Sequence, residues 1–319
     1  MARRGRDTSM NAGGRDWSLG HSVPRASSLT HEHLATVVAT EAAMRGLGAT
    51  VRVLDAGCGS GAMLAYMARA LQQIDRDRDY ELYGFDITDR GAEGHGFHSE
   101  SAALLSAADP RVDWTVRISA IRQCDPWPYP DQSFDVVVSN QVLEHVFDHH
   151  HFFGQLARVL RAGAFSAHLF PLKHYVYEGH LFIPYVHRVK EHDLLRWYIK
   201  WLSRLGFGNY RQHRRERDVS LDDFSERHAD YMHHFTNYLS TREVMHLAKM
   251  HGLRASFRYT PDFYGRKVRD LLGRPPKWRY HRAAAPWQRF STAVLKYANG
   301  ISLFLENQER YSAGVPGRG

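Results

Sequence analysis

The segment Val53-Leu54-Asp55-Ala56-Gly57-Cys58-Gly59-Ser60-Gly61 constrains the fold of this chain more than any other stretch. The β-branched run Val51–Asp55 reads as a short buried strand. Three alternating glycines follow. A helical pattern then opens at Ala62 and runs to Gln72, with Met63, Leu64, Met67 and Leu71 on one face. Glycines in such a turn permit positive φ and let the backbone approach a ligand closely. The helix that starts there offers unpaired N–H groups. Strand, glycine turn and helix in that order predict a nucleotide-type site at a strand end.

The rest of the chain repeats that rhythm. A helix is expected over 29–47, stopped by Gly46 and Gly48. Strands are expected at Tyr80–Asp86, Val112–Ile118, Phe134–Ser139 and Ala164–Phe170. Between them lie a glycine-bearing loop over 87–98, a helix at Ser99–Ala108 and a proline-rich loop with Pro126, Pro128 and Pro130. One or two helices follow at Val142–Leu160, closed by Arg161-Ala162-Gly163. Thr241–His251 reads as a helix stopped by Gly252, Leu253–Tyr259 as a strand, 263–296 as basic and mostly helical, and Ile301–Glu306 as a last strand. The expected fold is α/β: a doubly wound, mainly parallel, seven-stranded Rossmann-like sheet. Residues 172–239 break the rhythm and are rich in aromatic, basic and histidine residues. They are expected to form an inserted, mainly helical cap, in which Leu194, Leu195, Tyr198, Trp201, Leu202 and Leu205 make an amphipathic stripe. The expected organisation is a flexible tail over 1–27, a cofactor-binding core over 28–171, the cap over 172–239 on the substrate side, and completion of the core with a basic helical elaboration over 240–319.

Composition narrows the setting. Of 319 residues, 43% are hydrophobic and 24% charged, ordinary values for a globular chain. No apolar run approaches membrane-spanning length, and the basic N-terminus lacks the apolar stretch of a secretory signal. Two cysteines without a CxxC pair argue against a disulfide framework or a zinc–thiolate site and fit a cytoplasmic setting. No metal is expected, and His149-His150-His151 reads as a solvated helix start. The formal net charge of +8 reads first as a solvated basic surface. It carries no nucleic-acid module with it, so nucleic acid is not an expected partner. The stripe at 194–205 leaves peripheral membrane contact open.

The ligand is read from two acids. Spacing alone leaves a dinucleotide open, because Ala62 stands where that fingerprint accepts Gly or Ala. However, Asp55 lies two residues before Gly57, and a carboxylate there repels a pyrophosphate and welcomes a cation. Asp86 ends the next strand, where it can accept both hydroxyls of a ribose. Ile87 beside it can pack on an adenine face.

These features resemble the class I S-adenosylmethionine-dependent methyltransferases, in the broad group with the small type 11 core. Three downstream blocks are similar to the same group: Pro128–Asn140 at strand four, Val142–Val146 in the next helix, and Arg158–Gly163 before strand five. The resemblance spans roughly residues 51–170. It implies S-adenosylmethionine as cofactor, with Asp55, Ala56, Gly57, Gly59, Gly61, Asp86 and Ile87 holding it and Asn140 lining its methionine end. The acid that the group often places after strand three is not evident here; Ser119 and Asp125 are the candidates.

The resemblance implies methyl transfer to an oxygen or nitrogen. The acceptor is expected to be a small molecule, a sugar or a lipid-linked glycan. Gln141 and Glu144 are placed near the same rim as Asn140. His145 is a candidate general base, because imidazole titrates near neutrality. Beyond strand five, Glu178, His180 and His187 are close in sequence and are candidates to converge as base, orienting groups or metal ligands, although the family type usually needs no metal. Two other readings stand beside this one: a catalytically inactive, methyltransferase-like module that binds RNA or another anion through its basic surface, and a nicotinamide-dependent oxidoreductase.

Overall fold

A computed structural model describes residues 23–88, 97–281, 285–298 and 300–308. The expected loop glycines at 91–96 and most of the expected tail lie outside them. Residues 23–27, assigned to a flexible tail, are instead anchored. Val23 is buried, the Tyr66 hydroxyl donates to the Pro24 carbonyl, and Arg25 bridges Glu32 and Asp270.

Helix α1 (Leu29–Arg45) starts on the Ser28 side chain and ends at Gly46 in the left-handed region. Strand β1 (Thr50–Ala56), helix α2 (Ala62–Ile74) and strand β2 (Asp79–Ile87) follow, then helix α3 (Phe97–Ala108) and strand β3 (Ile118–Ile121). Strand β4 (Phe134–Asn140), helix α4 (His149–Val159) and strand β5 (Leu160–Phe170) complete the first half. The cap contributes helices α5 (His192–Arg204), α6 (Tyr210–Arg217) and α7 (Leu221–His234). Helix α8 (Thr241–Met250), strand β6 (Leu253–Ser256), helix α9 (Thr260–Leu271), helix α10 (Ala285–Leu295) and strand β7 (Ile301–Asn307) end the described fold.

The seven strands form one sheet in the order β3-β2-β1-β4-β5-β7-β6. The first five are parallel, and β7 runs antiparallel to both β5 and β6. Alternate residues of each strand serve opposite layers. Val53, Val136 and Val138 pack with helices α1, α2 and α3, whereas Leu54 and Val137 pack with α4 and α8. Helices thus cover both faces, the arrangement that a parallel sheet requires.

Several expected boundaries move. Val112–Ile118 is not a strand. Asp113 caps a 3-10 turn at Trp114–Val116, whose buried indole donates to the Asp109 carbonyl, and pairing with β2 begins only at Ile118. Arg161-Ala162-Gly163 does not precede the fifth strand but lies inside it, where the β4–β5 register shifts. Val142–Leu160 divides into a 3-10 turn at Leu143–His145 and α4, because the Asp148 side chain caps a new start. Strand β6 stops at Ser256. The expected cap stripe divides too: Leu195 and Leu202 enter a separate cap core with Phe224 and Met232, while Leu194, Trp201 and Leu205 face outward.

Candidate active site

The carboxyl ends of β1, β2 and β4 bring three polar side chains to one edge. Asp55 is fully buried near the end of β1, and neither carboxylate oxygen has a hydrogen-bond partner. Burial, and then the neighbouring charge of Asp86, hold its carboxyl well above the ordinary range. Asn140 at the end of β4 likewise has a buried, unpartnered Oδ1. A buried polar group without a partner is costly, so these atoms are set for an absent donor or cation.

The turn between them is fixed by backbone. Gly57 and Cys58 both donate to the Phe85 carbonyl, at 2.9 and 3.0 Å. Gly57 has φ +81°, and a Cβ there would lie 2.6 Å from Val142 Cγ2. The position therefore demands glycine twice over, by conformation and by space. Asp86 Oδ2 accepts from the Gly59 N–H at 2.5 Å, and Oδ1 from the Ile87 N–H at 2.7 Å. Ala56 is buried at the foot of the turn, Gly61 begins α2, and Ile87 is half-buried at the end of β2. The turn opens onto a helix N-terminus and is flanked by two acids rather than by cations. It fits a ligand with a ribose and a positive charge, as S-adenosylmethionine has, and is a poor host for a pyrophosphate.

The region after β3 gives the adenine side less definition. Ser119 pairs with Phe85 within the sheet, and the Asp125 carboxylate is occupied by the Arg122 N–H.

The cap closes against the turn that follows β4. Asn237 donates its N–H to the Glu144 carbonyl at 2.6 Å and its side-chain amide to the Val146 and Phe147 carbonyls. His145 is held through Nδ1 by the Phe235 carbonyl, and burial lowers its pKa. Its ring lies 5.7 Å from that of His180 and 6.1 Å from that of Tyr231.

His180 and Glu178 form the polar centre of the cap. The Glu178 side chain is buried, and Oε1 contacts His180 Nδ1 at 2.6 Å. Oε2 accepts the His180 and Leu181 N–H groups, both at 2.8 Å, and the Tyr238 hydroxyl donates to Oε1 at 3.0 Å. Burial opposes the charge on Glu178, but these donors outweigh it and hold the carboxyl low. The hydrogen bond from His180 to Glu178 raises the imidazole in return. The other ring nitrogen, Nε2, faces the Tyr231 hydroxyl at 3.3 Å, and the side chain is 44% exposed.

His187 lies elsewhere. Its ring stacks on Tyr175 at 4.4 Å, Nε2 meets the Lys173 carbonyl, and burial depresses its pKa to about 4. It meets the cluster only through Tyr175 and Tyr238, which are bonded to each other. The structure thus brings Glu178, His180 and His145 together and places His187 behind Tyr175 and Tyr238, with its Nδ1 buried and unpartnered. Sequence reading missed Tyr231 and Tyr238, which reach the cluster from the cap's far end. Glu144, expected only near the rim, has a different setting. Glu144 is fully buried with both oxygens unpartnered, and burial pushes its carboxyl up to about 8.

His149, read as solvated, is buried and holds the Leu143 carbonyl. Among the described residues, the one trio of metal-capable side chains in mutual reach is His192, Glu226 and Asp230, at the outer surface of the cap. No described helix is long and apolar enough to cross a membrane.

Residues 54–167 match the family model described as "Methyltransferase domain". The chain is 33% identical over 147 residues to "27-O-demethylrifamycin SV methyltransferase" of Amycolatopsis mediterranei, covering 46% of this chain and 48% of that one. It is 34% identical over 111 residues to the "Probable S-adenosylmethionine-dependent methyltransferase" of Mycolicibacterium smegmatis, 35% of this chain and 34% of that one. The chain therefore spans about half, or less, of the length of the curated relatives it matches. A solved S-adenosylmethionine dependent methyltransferase from Mesorhizobium loti superposes with a TM-score of 0.42 and 14% identity, over 84% of this chain and 97% of that one. The matched segment and the acid-lined cradle coincide from β1 to β5, and the chain carries a class I S-adenosylmethionine-dependent methyltransferase domain.

Proposed function

We propose that this chain transfers a methyl group from S-adenosylmethionine to a hydroxyl or amine of a small-molecule, sugar or lipid-linked glycan acceptor. The observation that carries this reading is the Glu178–His180 pair, set by the cap beside His145, a few residues beyond Asn140. When bound, the cofactor supplies an electrophilic methyl group on a good sulfonium leaving group. Positioning then does most of the work, and a base is needed only where the acceptor atom carries a proton.

Asp55 and Asn140 would hold the charged end of the cofactor, and Asp86 its ribose. Glu178 fixes the imidazole tautomer by taking the Nδ1 hydrogen, which leaves Nε2 as the proton acceptor. In the resting arrangement the Tyr231 hydroxyl donates to Nε2; an acceptor hydroxyl takes the same place. The Amycolatopsis relative, named for a 27-O-demethylated substrate, supports oxygen as the acceptor atom.

The test is an acceptor screen that follows S-adenosylhomocysteine release and reads product mass. Turnover with a hydroxyl- or amine-bearing acceptor, lost in His180→Ala, supports the reading. Turnover undiminished by that substitution overturns the assignment of the base.

A further inference from the structure

Helix α5 is apolar on two opposite sides. Leu195, Ile199 and Leu202 enter the cap core. Leu194, Trp197, Trp201 and Leu205 lie along the outer side at helical spacing, all exposed. The two indoles stack in parallel, with centroids 5.9 Å apart and planes 6° apart, and are 56% and 46% exposed. A globular helix ordinarily turns its outer side polar.

Along the chain the apolar line runs on into a basic helix, whose Arg211 guanidinium lies against Gly206, the residue after Leu205. Phe207 is exposed just beyond α5, and helix α6 follows with no buried residue. Its Arg211, Arg214, Arg215 and Arg217 are all exposed, against one acid, Glu216. Among the described residues none of these four arginines pairs with a carboxylate. On α5, by contrast, Arg196 and Lys200 are neutralised by Glu226 and Asp222. The start of α6 is tied to the acceptor loop: the Asn209 side chain donates to the His180 carbonyl and its N–H to the Leu181 carbonyl. Phe182 in that loop is 56% exposed and lines a surface recess with Arg211 and Arg215.

We propose that this face of the cap docks on an anionic lipid bilayer. The stacked indoles and Leu205 sit at the headgroup boundary, where tryptophan is favoured, and the α6 guanidinium groups meet lipid phosphates. Unmatched cations beside exposed aromatic rings complement an anionic, partly apolar surface. Phe182 follows His180 by two residues, so the same surface reaches the edge of the acceptor cluster. An acceptor anchored in the bilayer would meet the imidazole there. That last step rests on the proposed role of His180; the docking does not.

The test uses the full chain and sedimentation with vesicles of phosphatidylcholine, with and without phosphatidylglycerol. The expected result is partition onto the anionic vesicles that weakens with salt. The double substitution Trp197→Ser with Trp201→Ser lowers partition about tenfold or more. Arg214→Gln with Arg215→Gln lowers it roughly fivefold for each charge. S-adenosylhomocysteine affinity stays unchanged in both. The arginine pair lies on a helix with no buried residue, so it keeps the test readable if the tryptophan pair disturbs folding. Equal partition onto neutral and anionic vesicles, or partition indifferent to the arginine pair, overturns the proposal. So does a dimer that the tryptophan pair dissolves, because the face would then join two copies. Intact vesicle binding without methyl transfer would count against the proposed function alone.

Discussion

The buried Glu178 carboxylate and the half-exposed His180 imidazole are joined at 2.6 Å, and the carboxylate also accepts from the His180 and Leu181 N–H groups and the Tyr175 and Tyr238 hydroxyls. In the proposed function the carboxylate orients the ring, and His180 Nε2 exchanges the proton with the acceptor. His180→Ala should lower kcat by roughly 10²–10⁴ and leave S-adenosylhomocysteine affinity unaltered. The pH profile carries the sign. His180 is raised above its ordinary 6.5 by Glu178, and a base works only when neutral. Activity should thus rise with pH along a limb lying above 6.5, and in Glu178→Gln that limb should move to lower pH. Equal losses of turnover and cofactor affinity would give the pair a structural role instead.

Glu144 makes a second prediction, about stability. Its folded carboxyl titrates at about 8, against an ordinary 4.5, so the folded chain keeps a proton that the unfolded chain releases. Stability should fall as pH rises between those values and stay low above them. Each unit of such a shift is worth about 1.4 kcal/mol, which puts the total at roughly a few kcal/mol. Glu144→Gln removes the titration. Denaturant melts should show the variant gaining on the wild type from pH 5 towards about pH 8. A constant difference across that range would mean that Glu144 is solvated or partnered.

Gly57→Ala tests the cradle itself. The new methyl group meets Val142 at 2.6 Å, at a backbone conformation that L residues resist. The expected cost is about 1–3 kcal/mol of stability, with weaker S-adenosylhomocysteine binding. Adding Val142→Ala should recover the packing part and not the conformational part. Full recovery in the double variant, measured by melts and calorimetry, would show that positive φ is not required.

The core was legible where one local signal governed. Val51–Asp55 and Phe134–Ser139 are β-branched runs between turn residues, and both lie in strands. The third strand misled because Val112–Ile118 alternates through a different cause. Trp114 is buried from a 3-10 turn, capped by an acid that the period does not register. Asp55 and Asp86 were legible because each stands at a fixed offset from a strand end. The cluster around Glu178 and His180 was legible only in its local half. Glu178 and His180 are two residues apart, but Tyr231 joins His180 across 51 residues and Tyr238 joins Glu178 across 60. No periodicity encodes a contact made when the end of α7 and the segment after it fold against the turn that follows β4. The burial of His149 and Glu144 was hidden in the same way, because both are covered by the segment around Asn237.

The central claim is that the acids ending β1 and β2 hold an adenosyl cation, and calorimetry with S-adenosylmethionine and S-adenosylhomocysteine tests it most directly. The account predicts saturable binding of one ligand per chain. Affinity should be weakened about tenfold or more in Asp86→Ala, where the ribose loses its acceptor. Asp55→Asn should weaken S-adenosylmethionine more than its uncharged product. Because burial and Asp86 raise the Asp55 carboxyl, S-adenosylmethionine should also bind more tightly as pH rises and that proton leaves. Absence of binding by the folded wild-type chain, or affinities untouched by both substitutions, would contradict it.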